Sequence, residues 1–133
     1  CIRDRADIDH FKKVNDTIGH LGGDYVLKEF AKQLQEGIRS DNDWVARYGG
    51  EEFLICINNV NASIAYKLAE RFREKVEKME LCYQGKSINI TASFGVCTIY
   101  KQEVSLEQLI DCADSNLYKA KQEGRNQVIG SNP

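Results

Sequence analysis

Apolar residues recur at helical spacing in three stretches of the chain. Leu27, Phe30, Ala31, Leu34 and Ile38 mark a helix over 23–38, with Asp24 in its first turn, where a negative charge suits the helix dipole. Ala65, Leu68, Ala69, Phe72, Val76 and Met79 mark a second helix over 62–80. Leu106, Leu109, Ile110, Ala113, Leu117 and Ala120 mark a third, ended by Gly124. His10 to Asp16 reads as a short helical turn, broken by Thr17-Ile18-Gly19-His20. The runs Trp44–Tyr48 and Glu51–Ile57 flank Gly49-Gly50, which predicts a hairpin with the two glycines as its turn. Phe53–Ile57 is apolar on both faces and predicts a central, covered strand. Ile88 to Val96 alternates as a half-buried strand, and Asn126 to Ile129 fits a short last one. Ala6-Asp7-Ile8-Asp9 fits the end of a first strand, although Arg3, Asp4 and Arg5 are poor interior strand residues. Helices mixed with hairpins predict the α+β class, with a mainly antiparallel central sheet surrounded by helices.

Composition narrows the function. The chain has 133 residues, enough for one domain over 1–133. Its 18 basic and 20 acidic residues give a net charge of −2, which excludes a general nucleic-acid binder. No apolar run approaches the ~18 residues that would span a membrane, so no membrane contact is expected. Five widely spaced cysteines without a CxxC pair argue against a disulfide framework, and two histidines are too few for a zinc cluster with them. That usage predicts reduced thiols and a cytoplasmic location.

Carboxylates gather at two places beside apolar strands. Asp7 and Asp9 flank Ile8, and Glu51 and Glu52 follow Gly49-Gly50. With the first strand beside the hairpin, Asp7 and Glu51 would converge. Converging carboxylates repel unless a cation sits between them, and oxygen-only ligands favour Mg²⁺ or Mn²⁺ over zinc. Phe11 and Lys12 follow at a helix start, where backbone N–H groups hold phosphates. Lys121 and Arg125 lie four apart at a helix C-terminus, as phosphate ligands or as dipole partners. Asn15 and Asp24 suit either a guanine edge or two helix caps.

These residues resemble one family. Asp7-Ile8-Asp9-His10-Phe11-Lys12-Lys13-Val14-Asn15-Asp16, Gly19-His20, Gly23-Asp24 and Arg47-Tyr48-Gly49-Gly50-Glu51-Glu52-Phe53 follow the order of the GGDEF diguanylate cyclases, in the GGEEF variant. Ser93-Phe94-Gly95-Val96 and the blocks from Ala113 to Asn126 extend the likeness. The resemblance implies a fold similar to the polymerase palm and the nucleotide cyclases. It implies condensation of two GTP into cyclic di-GMP and two pyrophosphates across a homodimer, usually behind a sensory or regulatory domain. By motif position, Asp7, the Ile8 carbonyl and Glu51 would hold Mg²⁺ (or Mn²⁺). Glu52 would be a further ligand or the base, and Lys12 would stabilise developing charge. Asn15 and Asp24 would read guanine, with His20 near the nucleoside. Phe11 and Lys12 would lie at the phosphates, with Lys121 and Arg125 on the outer ones. The competing readings are an inactive GGDEF module that binds GTP or a protein partner, and a different palm-like nucleotidyl cyclase or polymerase.

Two departures stand out. The family's Arg-x-x-Asp product site falls here on Ser40-Asp41-Asn42-Asp43, with Arg39 one position early, which predicts weak or absent feedback inhibition. The family's amino-terminal helix and part of its first strand are also expected to be missing. Either that strand is displaced, or its charged outer part is exposed.

Overall fold

A computed structural model describes residues 2–39, 41–100 and 103–131, with side chains described from residue 4 to residue 130 within those ranges. β1 (Ile2–Ile8) runs through the middle of a five-stranded sheet of order β2-β3-β1-β6-β7. β2 (Trp44–Gly49) and β3 (Glu52–Ile57) form the hairpin on one side. β6 (Ala92–Thr98) and β7 (Val128–Ser131) lie on the other, and β6–β7 is the one parallel pair in this sheet. The class is α+β with a mixed, mainly antiparallel sheet.

The doubtful strand is in place, and it is central. Alternation along β1 sends Asp4, Ala6 and Ile8 to one face and Arg5 and Asp7 to the other. On the first face lie α1 (Phe11–Glu36) and α2 (Ala62–Glu77). Val26, Phe30, Leu34, Ala69, Phe72 and Val76 pack there against Ile8, Ile55 and Phe94. α3 (Leu106–Gln122) covers the second face, with a smaller apolar cluster of Cys97, Leu109 and Ala113. The expectation that the charged part of the strand is displaced or exposed is therefore wrong. Asp4 is 0% exposed and Arg5 6%. Arg5 is tolerated because the α3 face supplies carboxylates; Asp4 has no hydrogen-bond partner among the described residues.

Several elements differ from their sequence expectations. α1 is one helix interrupted at Gly19 (φ 77°, ψ 171°), so the expected break is a kink rather than a loop. Leu81–Tyr83 (β4) and Lys86–Ile88 (β5) form a separate hairpin that the apolar pattern did not signal, because each strand has only three residues. The strand expected from Ile88 is divided at residues 89–91, and β6 is buried on both faces rather than half-buried. The reason lies at Gly95, where a Cβ would stand 2.2 Å from the Ala113 carbonyl oxygen and 2.3 Å from the Leu117 nitrogen. Without that Cβ, α3 seats directly on the strand. Ser105 caps α3, accepting a hydrogen bond from the Gln108 N–H while the Gln108 side chain accepts from the Ser105 N–H.

The cysteine expectation also fails. Cys97 on β6 and Cys112 on α3 form a disulfide, with Cα atoms 5.9 Å apart. Both face the β6–α3 interface, a proximity that linear spacing does not reveal. With that pairing goes the cysteine argument for a reducing, cytoplasmic location. Cys56, which is buried, and Cys82, which is exposed, stand outside this disulfide. Among the described residues, no helix is long and apolar enough to cross a membrane.

Candidate active site

The acidic site grows out of the β1–β3 register. Asp7 and Glu52 are directly opposed across the two strands. The turn is Gly50-Glu51 rather than Gly49-Gly50, because the ladder shifts between Arg47 and Gly49 and pairs Gly49 with Glu52. Gly50 takes φ 54°. The shift puts Glu51 at the tip of the hairpin and Glu52 in the strand, on the face shared with Asp7. Asp7 is only 2% exposed. Burial pushes its carboxyl up to about 6; the Lys121 ammonium, which donates to its Oδ2, opposes the rise, and Glu51 and Glu52 add to it.

Excess negative charge held in a dry place is what a hard divalent cation relieves. The donors that could hold one are oxygens, the Asp7 and Glu51 carboxylates and the Ile8 carbonyl, since the Ile8 side chain is in the core. Among the described residues, no three His, Cys, Asp or Glu side chains are grouped as a ready ligand cage.

Beside the carboxylates lies a cavity of about 330 Å³. Glu51 and Gly50 form one wall, and α1 supplies Phe11, Lys12, Asn15, His20 and Asp24. α1 starts at Phe11, so its unpaired first-turn N–H groups lie at this end. His10 sets the start in a left-handed conformation (φ 54°, ψ 36°). Asn15 and Asp24 lie inside α1, whose caps are His10 and Gly37, so the cap reading of the pair is not the one found. Gly23, beyond the kink at Gly19, leaves room for the Asn15 side chain, for a Cβ there would stand 1.8 Å from Oδ1. A larger cavity of about 760 Å³ opens between Val14, Ile18 and Ile88 and is also lined by Asp9, His10, Lys13 and Glu77; Asp7 lines neither cavity, and Glu51 lines the smaller one.

The last two expected residues are placed apart from that cavity. Lys121 lies on Asp7, and Arg125 is exposed in a loop where it and Asn126 both take positive φ (64° and 45°). Asp9 holds this loop. Its Oδ2 accepts from the Asn126 N–H (3.0 Å) and the Thr91 hydroxyl (2.8 Å), and its Oδ1 accepts from the Ser93 hydroxyl (2.6 Å). The Asn126 side chain is in turn tied to Arg73 and Glu77 of α2.

Sequence reasoning missed two groups. Arg47 lines the cavity and donates from Nε to the Gly50 carbonyl at 2.8 Å, and its only signal was its place just before Tyr48-Gly49-Gly50. Arg5 donates to Glu52 Oε2 at 2.8 Å and lies 2.8 Å from Asp114 Oδ1. Burial raises the Asp114 carboxyl above its ordinary range, Arg5 pulls it back, and Glu52 and Asp111 add to the rise. No periodicity announces a cross-sheet ion pair. Ser40 lies outside the described residues. At Asp43, Arg39 donates from Nε (2.9 Å) and Nη2 (3.1 Å), and the Asn58 N–H donates at 3.0 Å. Burial raises the Asp43 carboxyl, but these donors bring it below its ordinary value.

Residues 5–127 match the family model described as "Diguanylate cyclase, GGDEF domain", and the chain belongs to that family. It is 48% identical over 122 residues to Diguanylate cyclase A of Treponema denticola, covering 92% of this chain and 33% of that protein. The chain thus spans about a third of that relative. Its fold matches the GGDEF domain of DgcB from Caulobacter crescentus in complex with c-di-GMP (TM-score 0.91, 33% identity, 97% of this chain and 76% of that one). It equally matches diguanylate cyclase SiaD of Pseudomonas aeruginosa in complex with its activator SiaC (TM-score 0.91, 33% identity, 98% and 49%).

Proposed function

We propose that this domain condenses two GTP into cyclic di-GMP, with Mg²⁺ held by Asp7, Glu51 and the Ile8 carbonyl. The observation that carries the reading is the opposition of Asp7 and Glu52 across the strands, with the neighbouring Glu51 lining a cavity walled by Phe11, Lys12, Asn15 and Asp24. When bound, the metal supplies charge neutralisation at the α-phosphate and lowers the pKa of the attacking hydroxyl. The 3′-hydroxyl oxygen of one GTP bonds to the α-phosphorus of the other, and the bond from that phosphorus to the bridging oxygen breaks. Pyrophosphate leaves, and Glu52 takes the hydroxyl proton. Asp24 accepts the guanine N1–H and N2–H, while the Asn15 amide pairs with a second position on the base. Lys12, at the start of α1, stabilises charge on the phosphates, and Lys121 and Arg125 hold the outer ones. Each chain offers one such half-site, so the reaction needs two copies facing each other. A regulatory domain elsewhere in the full protein would bring them together; the partial span of the Treponema relative and the activator bound to SiaD support that arrangement.

Calorimetry tests the base assignment. GTP is expected to bind more tightly than ATP, and Asp24→Ala is expected to remove most of the difference; tighter ATP binding would defeat it. Asp9→Ala frees the Arg125 loop without touching substrate. The KM for GTP is expected to rise about 10-fold while kcat changes less, as steady-state kinetics would show. Product inhibition is expected to be weak, since the Arg39 guanidinium is committed to Asp43. Turnover should persist in micromolar cyclic di-GMP, and inhibition abolished by Arg39→Ala would contradict this.

A further inference from the structure

Arg5 occupies a position with no role in the chemistry above. It lies on the α3 face of β1, two residues and about 7 Å of strand before Asp7. Its side chain is 7% exposed, and its guanidinium stands 4.0 Å from the Tyr48 ring centroid. Nη2 donates to Glu52. Nη1 is close to Asp114 in distance but is not aligned for a hydrogen bond, and Nε has no acceptor among the described residues. A buried guanidinium needs its counter-charge, so a cation this poorly satisfied holds firmly to the one carboxylate that accepts from it.

That carboxylate belongs to the catalytic pair. Glu52 is 38% exposed, with Arg5 as its cationic partner, and it opposes Asp7 across the register. We infer that Arg5 is a positioning residue for Glu52, drawing its carboxylate toward α3 and opposing the divalent cation at Asp7 and Glu51, with Asp114 setting the strength of that hold. The inference rests on the metal reading above. Asp114 and Glu52 share one guanidinium. Removing the charge of Asp114 strengthens the hold on Glu52, whereas removing Arg5 releases it. Two neighbouring substitutions are therefore expected to move metal affinity in opposite directions; since the bare charge change gives the same signs, the part carried by Glu52 is the part of each shift that disappears in a Glu52→Gln background.

The test uses the nucleotide-free chain and Mn²⁺ alone, with free Mn²⁺ read by electron paramagnetic resonance. Arg5→Leu is expected to bind Mn²⁺ about 5-fold more tightly and Asp114→Asn about 3-fold more weakly, the sizes expected of a partly screened unit charge at this range. Arg5→Lys should stay close to the unsubstituted protein. In turnover, Arg5→Leu should lower kcat about 10-fold, because Glu52 loses its fixed orientation. Unchanged affinity in both variants, or shifts of the same sign, would overturn the inference and leave the metal reading intact. Absence of Mn²⁺ binding by the unsubstituted chain would overturn both. Should Arg5→Leu not fold, as judged by circular dichroism, Asp114→Asn decides alone: weaker binding that disappears in the Glu52→Gln background supports the inference, and unchanged binding, or the same weakening in that background, overturns it.

Discussion

Asp7→Asn is expected to abolish product formation while making the metal-free protein more stable. The loss should be at least ~100-fold in kcat, because an amide is a poor ligand for a hard cation and leaves the leaving-group charge uncompensated. The gain in stability has a separate origin. Burial lifts the Asp7 carboxyl to about 6, above its ordinary range, and Glu51 and Glu52 add to that rise against the pull of Lys121. A carboxyl whose pKa is raised by folding contributes stability that is fully present below its unfolded value, near 4. That contribution is lost as the pH rises through about 6. Above pH 7 the ionised Asp7 therefore costs about 1–2 kcal/mol, allowing for solvent screening near the open site. Asp7→Asn removes that cost, so denaturation at pH 7.5 should show the variant more stable by that amount, with the gap closing near pH 4. Equal stability at both pH values would mean that Lys121 already neutralises Asp7. Activity of the unsubstituted protein should rise with pH through the same interval, as the carboxyl gives up its proton to admit the metal.

Asp4→Val is expected to stabilise the fold by about 2 kcal/mol or more. Asp4 is 0% exposed, on the core face of β1 between Ile55 and Val96, and neither of its oxygens has a hydrogen-bond partner among the described residues. Burial raises its carboxyl well above the ordinary range, so the group is held against its solvation preference. Valine keeps nearly the same volume and suits a strand. Urea denaturation at pH 7 reads the gain. A loss of stability would show that the carboxyl has a partner in solution. The substitution is remote from the cavity, so GTP affinity should not change.

The fold was legible where the apolar pattern is long. Helices α1, α2 and α3, the hairpin and the covered strand β3 follow from the spacing of Phe30, Phe72, Leu117 and Phe53–Ile57. The pattern failed where a tertiary partner overrides a local preference. Arg5 reads as a poor strand residue until Glu52 and Asp114 are brought to it from 47 and 109 positions away. β6 reads as half-buried until α3 is seen to rest on Gly95. Cys97 and Cys112 read as unrelated thiols until the same packing joins them. In the site, motif order named Asp7, Glu51, Glu52 and the α1 residues. It did not give the one-residue shift of the turn, which rests on the ladder irregularity at Arg47–Gly49, nor the Arg47 wall that this shift brings to the cavity. Asp9 was visible as a carboxylate, but its partners Asn126, Thr91 and Ser93 lie more than 80 positions away, so its structural role was not.

The central claim is that the acidic pair and the α1 cavity act together on GTP. Its most direct measurement is incubation of the chain with GTP and Mg²⁺, at high concentration and also fused to a dimerising coiled coil, with products identified by mass. The account predicts cyclic di-GMP with two pyrophosphates released per product, lost in Asp7→Asn. GTP that binds but yields no cyclic di-GMP, even from the dimerised chain, would contradict it.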